Sequence, residues 1–180
     1  YDFSDHVRQA RVTIDDRVCP WERTGRPRGG GLSAGPIVPA ERHQCDQRRS
    51  WLWVGKTVIE DLDLWPRDCI WQHAAAPETI RSSFPDVPLG DQLVLAGDII
   101  YEHERDRTGG PLAVTVSLDG HEIGRMIHRD GDGWKQMVAS TRVPARGEAE
   151  RGTITIEVTA PNPDRRSFCW AASTRAEDAR

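Results

Sequence analysis

Four cysteines, Cys19, Cys45, Cys69 and Cys169, punctuate a chain that otherwise reads as short runs of alternating apolar and polar residues. Alternation with period two is the mark of strands with one buried face. No C-x-x-C spacing is present, which counts against a structural zinc site or a thioredoxin-like motif. The expectation is therefore a disulfide-stapled all-β domain from an oxidising compartment. Four cysteines allow three pairings. The preferred one is Cys19–Cys45 with Cys69–Cys169. The first bridge would close a Gly/Pro/Arg-rich stretch that cannot bury itself, and the second would tie an early strand to the last one.

From Trp51 onward nine strand candidates follow at short spacing: 51–60, 68–73, 79–84, 92–102, 112–118, 121–129, 134–141, 152–160 and 166–172. The run 112–118 alternates cleanly, with Leu112, Val114, Val116 and Leu118 facing inward. Asp119-Gly120 joins it to the next strand, a strong hairpin signal because a type I′ turn needs positive φ at both central residues. Ile154, Ile156 and Val158 share one face of a later strand. No amphipathic helix is evident, so the pattern is that of an antiparallel, jelly-roll-like β-sandwich.

The first third reads differently. Residues 7–14 form a possible strand with Val12 and Ile14 on one face. Residues 15–50 contain three consecutive glycines flanked by prolines, which exclude a regular element there. The chain is thus divided into an N-terminal arm with a disulfide-closed loop (1–50), a sandwich domain (51–175) and a tail (176–180). A loop of that length is usually functional or involved in assembly, and Val7 to Ile14 is a candidate for strand addition to a neighbour.

Bulk properties exclude some functions. The chain has 180 residues, a net charge of −4 and a mean hydropathy of −0.60. A mildly acidic, mixed-charge surface offers no electrostatic reason to bind nucleic acid. No apolar run is long enough to span a membrane as a helix. The chain begins with Tyr1, as a secreted product with its signal peptide removed would, so the expected location is extracellular or periplasmic.

Catalytic motifs fail on context. Gly31-Leu32-Ser33-Ala34-Gly35 spells G-x-S-x-G, but Pro36 follows where a nucleophile elbow needs a helix. Gly55-Lys56-Thr57 resembles the end of a P-loop, but Trp51, Leu52, Trp53 and Val54 fill the segment where small residues must let backbone amides converge. Tyr101-Glu102-His103-Glu104 would lie at a strand end with exposed charges. The six histidines show neither HxH nor HExxH spacing. No cofactor is expected. Asp130 and Asp132 are the one pair with spacing that suggests calcium, although a hairpin turn explains the same residues.

Seven tryptophans are many for this length. Trp71 and Trp170 adjoin cysteines and are assigned to the core, and Trp134 to a strand start. Trp21, Trp51, Trp53 and Trp65 remain as surface candidates, since exposed aromatic rings serve both sugar stacking and protein interfaces.

From about Trp65 to Arg175 the chain resembles bacterial secreted carbohydrate-binding-like β-sandwich domains. The resemblance is carried by Cys69-Ile70-Trp71-Gln72-His73, the turn Asp86-Val87-Pro88-Leu89-Gly90, Leu118-Asp119-Gly120, Asp132-Gly133-Trp134 and Phe168-Cys169-Trp170. It covers about two-thirds of the chain; residues 1–64 have no counterpart. It implies a jelly-roll-like fold and little about the ligand, because many such domains are non-catalytic and some serve in assembly. The functional expectation is a non-enzymatic secreted subunit that contacts other copies or other proteins through Trp21, Trp51, Trp53, Trp65, Val12 and Ile14. The alternative is a carbohydrate-binding module, free or attached to a larger enzyme. Two or more exposed tryptophans on a concave face would favour the latter.

Overall fold

A computed structural model describes residues 1–30, 34–142 and 150–176. The alternating segments form strands β1 (Arg11–Ile14), β2 (Arg17–Val18), β3 (Trp21–Arg23), β4 (Glu41–Gln44), β5 (Trp53–Glu60), β6 (Pro66–Gln72), β7 (Ile80–Pro88), β8 (Gln92–Ile99), β9 (Leu112–Leu118), β10 (His121–His128), β11 (Lys135–Ser140), β12 (Arg151–Thr159) and β13 (Phe168–Arg175). A 3-10 helix (Ser4–Gln9) and a four-residue helix, α1 (Tyr101–Glu104), complete the described elements. The strands build two antiparallel sheets, ordered β10-β9-β12-β7-β1-β2 and β11-β8-β13-β6-β5-β4-β3. The protein is a jelly-roll-like β-sandwich.

Period-two patterning explains the layers. Leu112, Val114, Val116 and Leu118 are all fully buried, as are Ile154, Ile156 and Val158. They meet Leu93, Leu95, Phe168 and Trp170 of the facing sheet in one continuous core. Asp119 and Gly120 take φ values of 47° and 83°, and Leu118 pairs with His121 across the turn. Buried Gln72 stitches the two sheets together. Its amide donates to the carbonyls of Ile80 (3.0 Å) and Ile156 (3.2 Å), and its Oε1 accepts from Ser82 (2.8 Å) and Trp170 (3.2 Å). Every polar atom of that side chain has a partner, as a buried amide requires.

Both cysteine pairs form as expected, Cys19–Cys45 and Cys69–Cys169, with Cα separations of 4.3 and 5.6 Å.

Residues 1–50 are not a separate arm. β1 lies inside the first sheet between β2 and β7, and β3 and β4 extend the second sheet. Val12 and Ile14 are fully buried, so neither side chain is available to a partner. Residues 4–9, expected in part as strand, coil into the 3-10 helix instead, with Val7 buried. Phe3 packs edge-on against Phe84 at 4.9 Å, and its amide donates to the Ala172 carbonyl at 3.1 Å. Strand addition to a neighbour by Val7 to Ile14 is disfavoured: residues 4–9 are helical, and β1 pairs with β7 throughout and with β2 at Thr13 and Ile14.

Residues 28–30 and 34–38 lie over the outer face of the second sheet. Arg28 and Val38 bridge the two stretches, and Thr57 donates its hydroxyl hydrogen to the Ile37 carbonyl at 2.5 Å. Beneath them lies a second apolar cluster of Trp53, Ile59, Cys69, Trp71, Ile100 and Cys169. The Cys69–Cys169 bridge thus sits in this outer layer with Trp71, while Trp170 faces the main core.

Candidate ligand-binding cleft

Where residues 29–30 and 34–38, the start of β5, the end of β6, helix α1 and the β12–β13 loop converge, they leave a cleft of about 730 Å3. That lies within the roughly 300–1,000 Å3 usual for small-molecule sites. Local sequence builds the rim bearing Trp51. The Asp46 carboxylate accepts from the amides of Arg48 (2.8 Å) and Arg49 (3.2 Å) and pairs with the Arg49 guanidinium at 2.8 Å. The Leu52 amide then donates to the Arg49 carbonyl and the Cys45 amide to the Leu52 carbonyl, both at 2.9 Å. An aspartate folding back on following amides is a turn device, so residues 45–52 are held as a closed loop. Arg49 also reaches Glu78 at 2.5 Å. These contacts hold the Asp46 carboxyl down at about 2, with the Arg49 hydrogen bond the largest cause.

Trp51 stands on this loop with 51% of its surface exposed. Its backbone is fixed from below: the Trp71 indole N–H donates to the Trp51 carbonyl at 3.2 Å. Trp71 in turn stacks on Trp53, with ring centres 5.3 Å apart and planes 17° apart, and both line the cleft. Polar groups surround this aromatic floor. His73 is buried, with Nδ1 2.5 Å from the Ala74 carbonyl, and burial pushes its pKa down. His103 projects from α1, with a buried Nδ1 that has no hydrogen-bond partner; burial lowers its pKa too. Both imidazoles are neutral near pH 7. Ser50, Asp164 and Arg165 add exposed polar groups at the mouth.

The four surface tryptophan candidates separate. Trp51 lines the cleft and is exposed, whereas Trp53 is 1% exposed and forms its floor. Trp65 is 64% exposed but lies in the β5–β6 turn, away from the cleft. Trp21 is half-buried edge-on against His43 at a centre distance of 4.8 Å. Trp134 precedes β11 as expected and packs with the outer cluster, under the Arg67 guanidinium at 5.2 Å.

Asp130 and Asp132 are committed to structural bonds. The Asp130 carboxylate pairs with Arg166 at 2.6 Å and accepts from the Gly109 amide at 2.8 Å. Asp132 accepts from the Arg129 amide at 3.0 Å and from Lys135 at 2.8 Å. They do not converge with any third ligand-bearing residue among the described residues. Gly31, Leu32 and Ser33 of the G-x-S-x-G stretch lie outside the described residues.

Sequence reasoning missed His73, His103 and Glu104. Strand β8 stops at Ile99 rather than at residue 102, and Tyr101–Glu104 turn into helix. Helical rather than alternating geometry turns Glu104 inward, where it is fully buried instead of exposed.

No family model matches this chain, and no curated protein matches it. Among solved structures it is similar to the CBM51-2 and INT domains of Clostridium perfringens ZmpB, solved with GlcNAc. That likeness has 12% identity and a TM-score of 0.49, over 69% of this chain and 26% of that one. It is also similar to the CBM51 of Clostridium perfringens GH95, solved with methyl-galactose, at 13% identity and a TM-score of 0.43, covering 66% of this chain and 79% of that one. A third is a Bacillus subtilis family 43 arabinoxylan arabinofuranohydrolase, at 8% identity and a TM-score of 0.43, covering 89% of this chain and 29% of that one. The chain therefore spans about a quarter of the ZmpB structure it matches. Among the described residues no helix is long and apolar enough to cross a membrane.

Proposed function

We propose that this domain is a non-catalytic binding module that takes a neutral sugar residue of a glycan in the Trp51 cleft. The observation that carries this reading is the half-exposed Trp51 ring, held on a rigid loop at the edge of a cleft floored by the Trp53–Trp71 stack. An apolar pyranose face stacks on such a ring, while hydroxyls need neutral donors and acceptors close by. Ser50, His73 and His103 supply that polar set without a net charge at neutral pH. Arg49 is already neutralised by Asp46 and Glu78, so it adds no strong preference for an anion.

The competing expectation was a structural subunit acting through its N-terminal arm. It loses its main support because that segment is built into both sheets and two of its contact residues, Val12 and Ile14, are in the core. Two disulfides fit a domain that works in an oxidising, extracytoplasmic compartment.

The test is a glycan array followed by titration calorimetry on the best hit, with Trp51→Ala alongside. Because half of the Trp51 surface is already exposed, the variant should melt close to wild type yet lose about tenfold or more in affinity, roughly 1.4 kcal/mol. An empty array, or a hit that Trp51→Ala binds equally well, would remove the proposal.

A further inference from the structure

Asp98, Glu104 and His128, none of which lines the cleft, converge beside helix α1. Asp98 lies in β8, Glu104 closes α1 and His128 closes β10. All three are fully buried, and one ligand atom from each lies within 4.8 Å of the others.

The polar accounting of this cluster does not close. Glu104 Oε1 accepts from the amides of Gly131 (2.9 Å) and Gly133 (3.0 Å), but its Oε2 is buried with no donor. Asp98 Oδ1 accepts from the Ile99 amide at 2.7 Å and lies 3.2 Å from His128 Nε2. Asp98 Oδ2 lies 3.3 Å from the Leu62 amide, and the Asp98 and Glu104 carboxyls face each other within hydrogen-bond reach. His128 Nε2 also lies 2.9 Å from the Gly133 carbonyl. Among the described residues no lysine or arginine side chain pairs with either carboxylate: Arg67, Arg166 and Lys135 pair with Asp61, Asp130 and Asp132 instead. Two carboxyl groups and an imidazole are thus buried together with no cationic side chain among the described residues beside them, so either a carboxyl holds a proton or a cation binds.

We propose that Asp98, Glu104 and His128 form a binding site for a divalent transition-metal cation of the zinc class. The ligand set selects the class. One imidazole nitrogen with two carboxylate oxygens suits zinc, whereas calcium asks for six to eight oxygens. Without metal, the Gly133 carbonyl 2.9 Å away makes Nε2 the protonated nitrogen and leaves Nδ1 buried without a partner; binding a metal through Nε2 moves that proton to Nδ1. The Gly133 carbonyl, already beside Nε2, is placed to serve as a fourth donor. Ligand atoms about 2.0–2.1 Å from zinc sit roughly 3.3 Å apart in a tetrahedron, so small side-chain movements from the present spacing close the site.

The metal would tie together three chain segments: the end of β8, helix α1 and the 129–133 turn, which Glu104 already holds through two amides. Because α1 also carries His103 to the cleft, the site is placed to fix that part of the cleft wall. The metal proposal does not depend on what the cleft binds.

The full chain, stripped with a chelator, is titrated by calorimetry with ZnCl2, and separately with CaCl2 and MgCl2. With no free cysteine among the described residues, thiolate binding does not confuse the reading. The expected result is one zinc per chain, little heat from calcium or magnesium, and a melting temperature raised by about 5–10 °C at a hundredfold excess over Kd. Cobalt(II) added to the stripped wild-type chain should give the visible absorption of a tetrahedral site, bleached by zinc; this readout needs no variant to fold. Glu104→Gln and His128→Asn should each weaken zinc at least tenfold, while Asp132→Asn and His103→Ala should not. Absence of zinc uptake by the wild-type chain would overturn the proposal and leave the two carboxylates sharing a proton. Uptake undiminished by both Glu104→Gln and His128→Asn, or stoichiometric calcium in place of zinc, would overturn it as well.

Discussion

The two disulfides close loops of very different length, and this difference sets a measurable ranking. Cys19 and Cys45 are separated by 26 residues, Cys69 and Cys169 by 100. The loops do not overlap in sequence, so their effects on the unfolded chain add. In the chain-entropy treatment, removing the shorter bridge costs about 3.5 kcal/mol and the longer about 4.7 kcal/mol at 25 °C. The difference, 1.5RT ln(100/26), is about 1.2 kcal/mol. Packing losses largely cancel in the comparison. Each double variant, Cys19→Ala/Cys45→Ala or Cys69→Ala/Cys169→Ala, deletes two sulfur atoms from buried sites, exposed 1% and 8% in the first pair and not at all in the second. The small residual bias runs in the same direction as the entropy. The assay is equilibrium unfolding in guanidinium, with free energies compared rather than midpoints. Opening a cross-link expands the denatured state and raises the denaturant slope, so midpoints alone would mislead. The Cys69/Cys169 variant should come out less stable by about 1.2 kcal/mol, a gap of roughly 2–5 °C in melting temperature. If the Cys19/Cys45 variant proves equally or more damaged, loop entropy is not the controlling term. The packing of residues 28–30 and 34–38 and of the 45–52 loop would then be the better explanation.

Two further outcomes follow from charge placement. Asp46 is depressed to about 2 from an ordinary 3.8, so its contribution is complete above the ordinary value and disappears as pH falls toward 2; Asp46→Asn should flatten stability against pH in that window, and an unchanged slope in acid titrations monitored by circular dichroism would contradict this. Arg166 is fully buried and paired with Asp130, 5% exposed, at 2.6 Å, so Asp130→Asn strands a buried guanidinium and should cost about 3 kcal/mol in chemical denaturation; a loss under 1 kcal/mol would mean that the bond to the Gly110 carbonyl suffices.

How far the fold was legible depended on the range of the forces involved. The 112–118 strand, the Asp119-Gly120 turn and the Ile154/Ile156/Val158 face were readable because period-two burial and positive φ are local requirements, visible in a few adjacent residues. The bridge pairing was a preference among three, and the structure decided it in favour of Cys19–Cys45 with Cys69–Cys169. The first third was misjudged. β2, β3 and β4 hold two to four residues each, too few for a pattern, and exist because neighbouring strands offer them partners. The apolar residues Val12 and Ile14 looked like contact surface, yet the chain itself covers them.

The sites show the same division. Trp51 could be named from the sequence as a surface aromatic, but not distinguished from Trp53 two positions on, because only the structure places Trp51 on the 45–52 loop and Trp53 at the start of β5. His73 and His103 carry no spacing signal, being 30 positions apart in sequence and joined only where β6 and α1 end side by side. Asp98, Glu104 and His128 come from three segments that meet only when the sandwich closes. The sequence alone determined the all-β class, the alternation that makes a two-layer core, and the cysteines that staple it, because those are properties of neighbours along the chain. Only the tertiary structure decided which rings and carboxylates share a site, because that follows from how sheet order and helix α1 bring distant residues together.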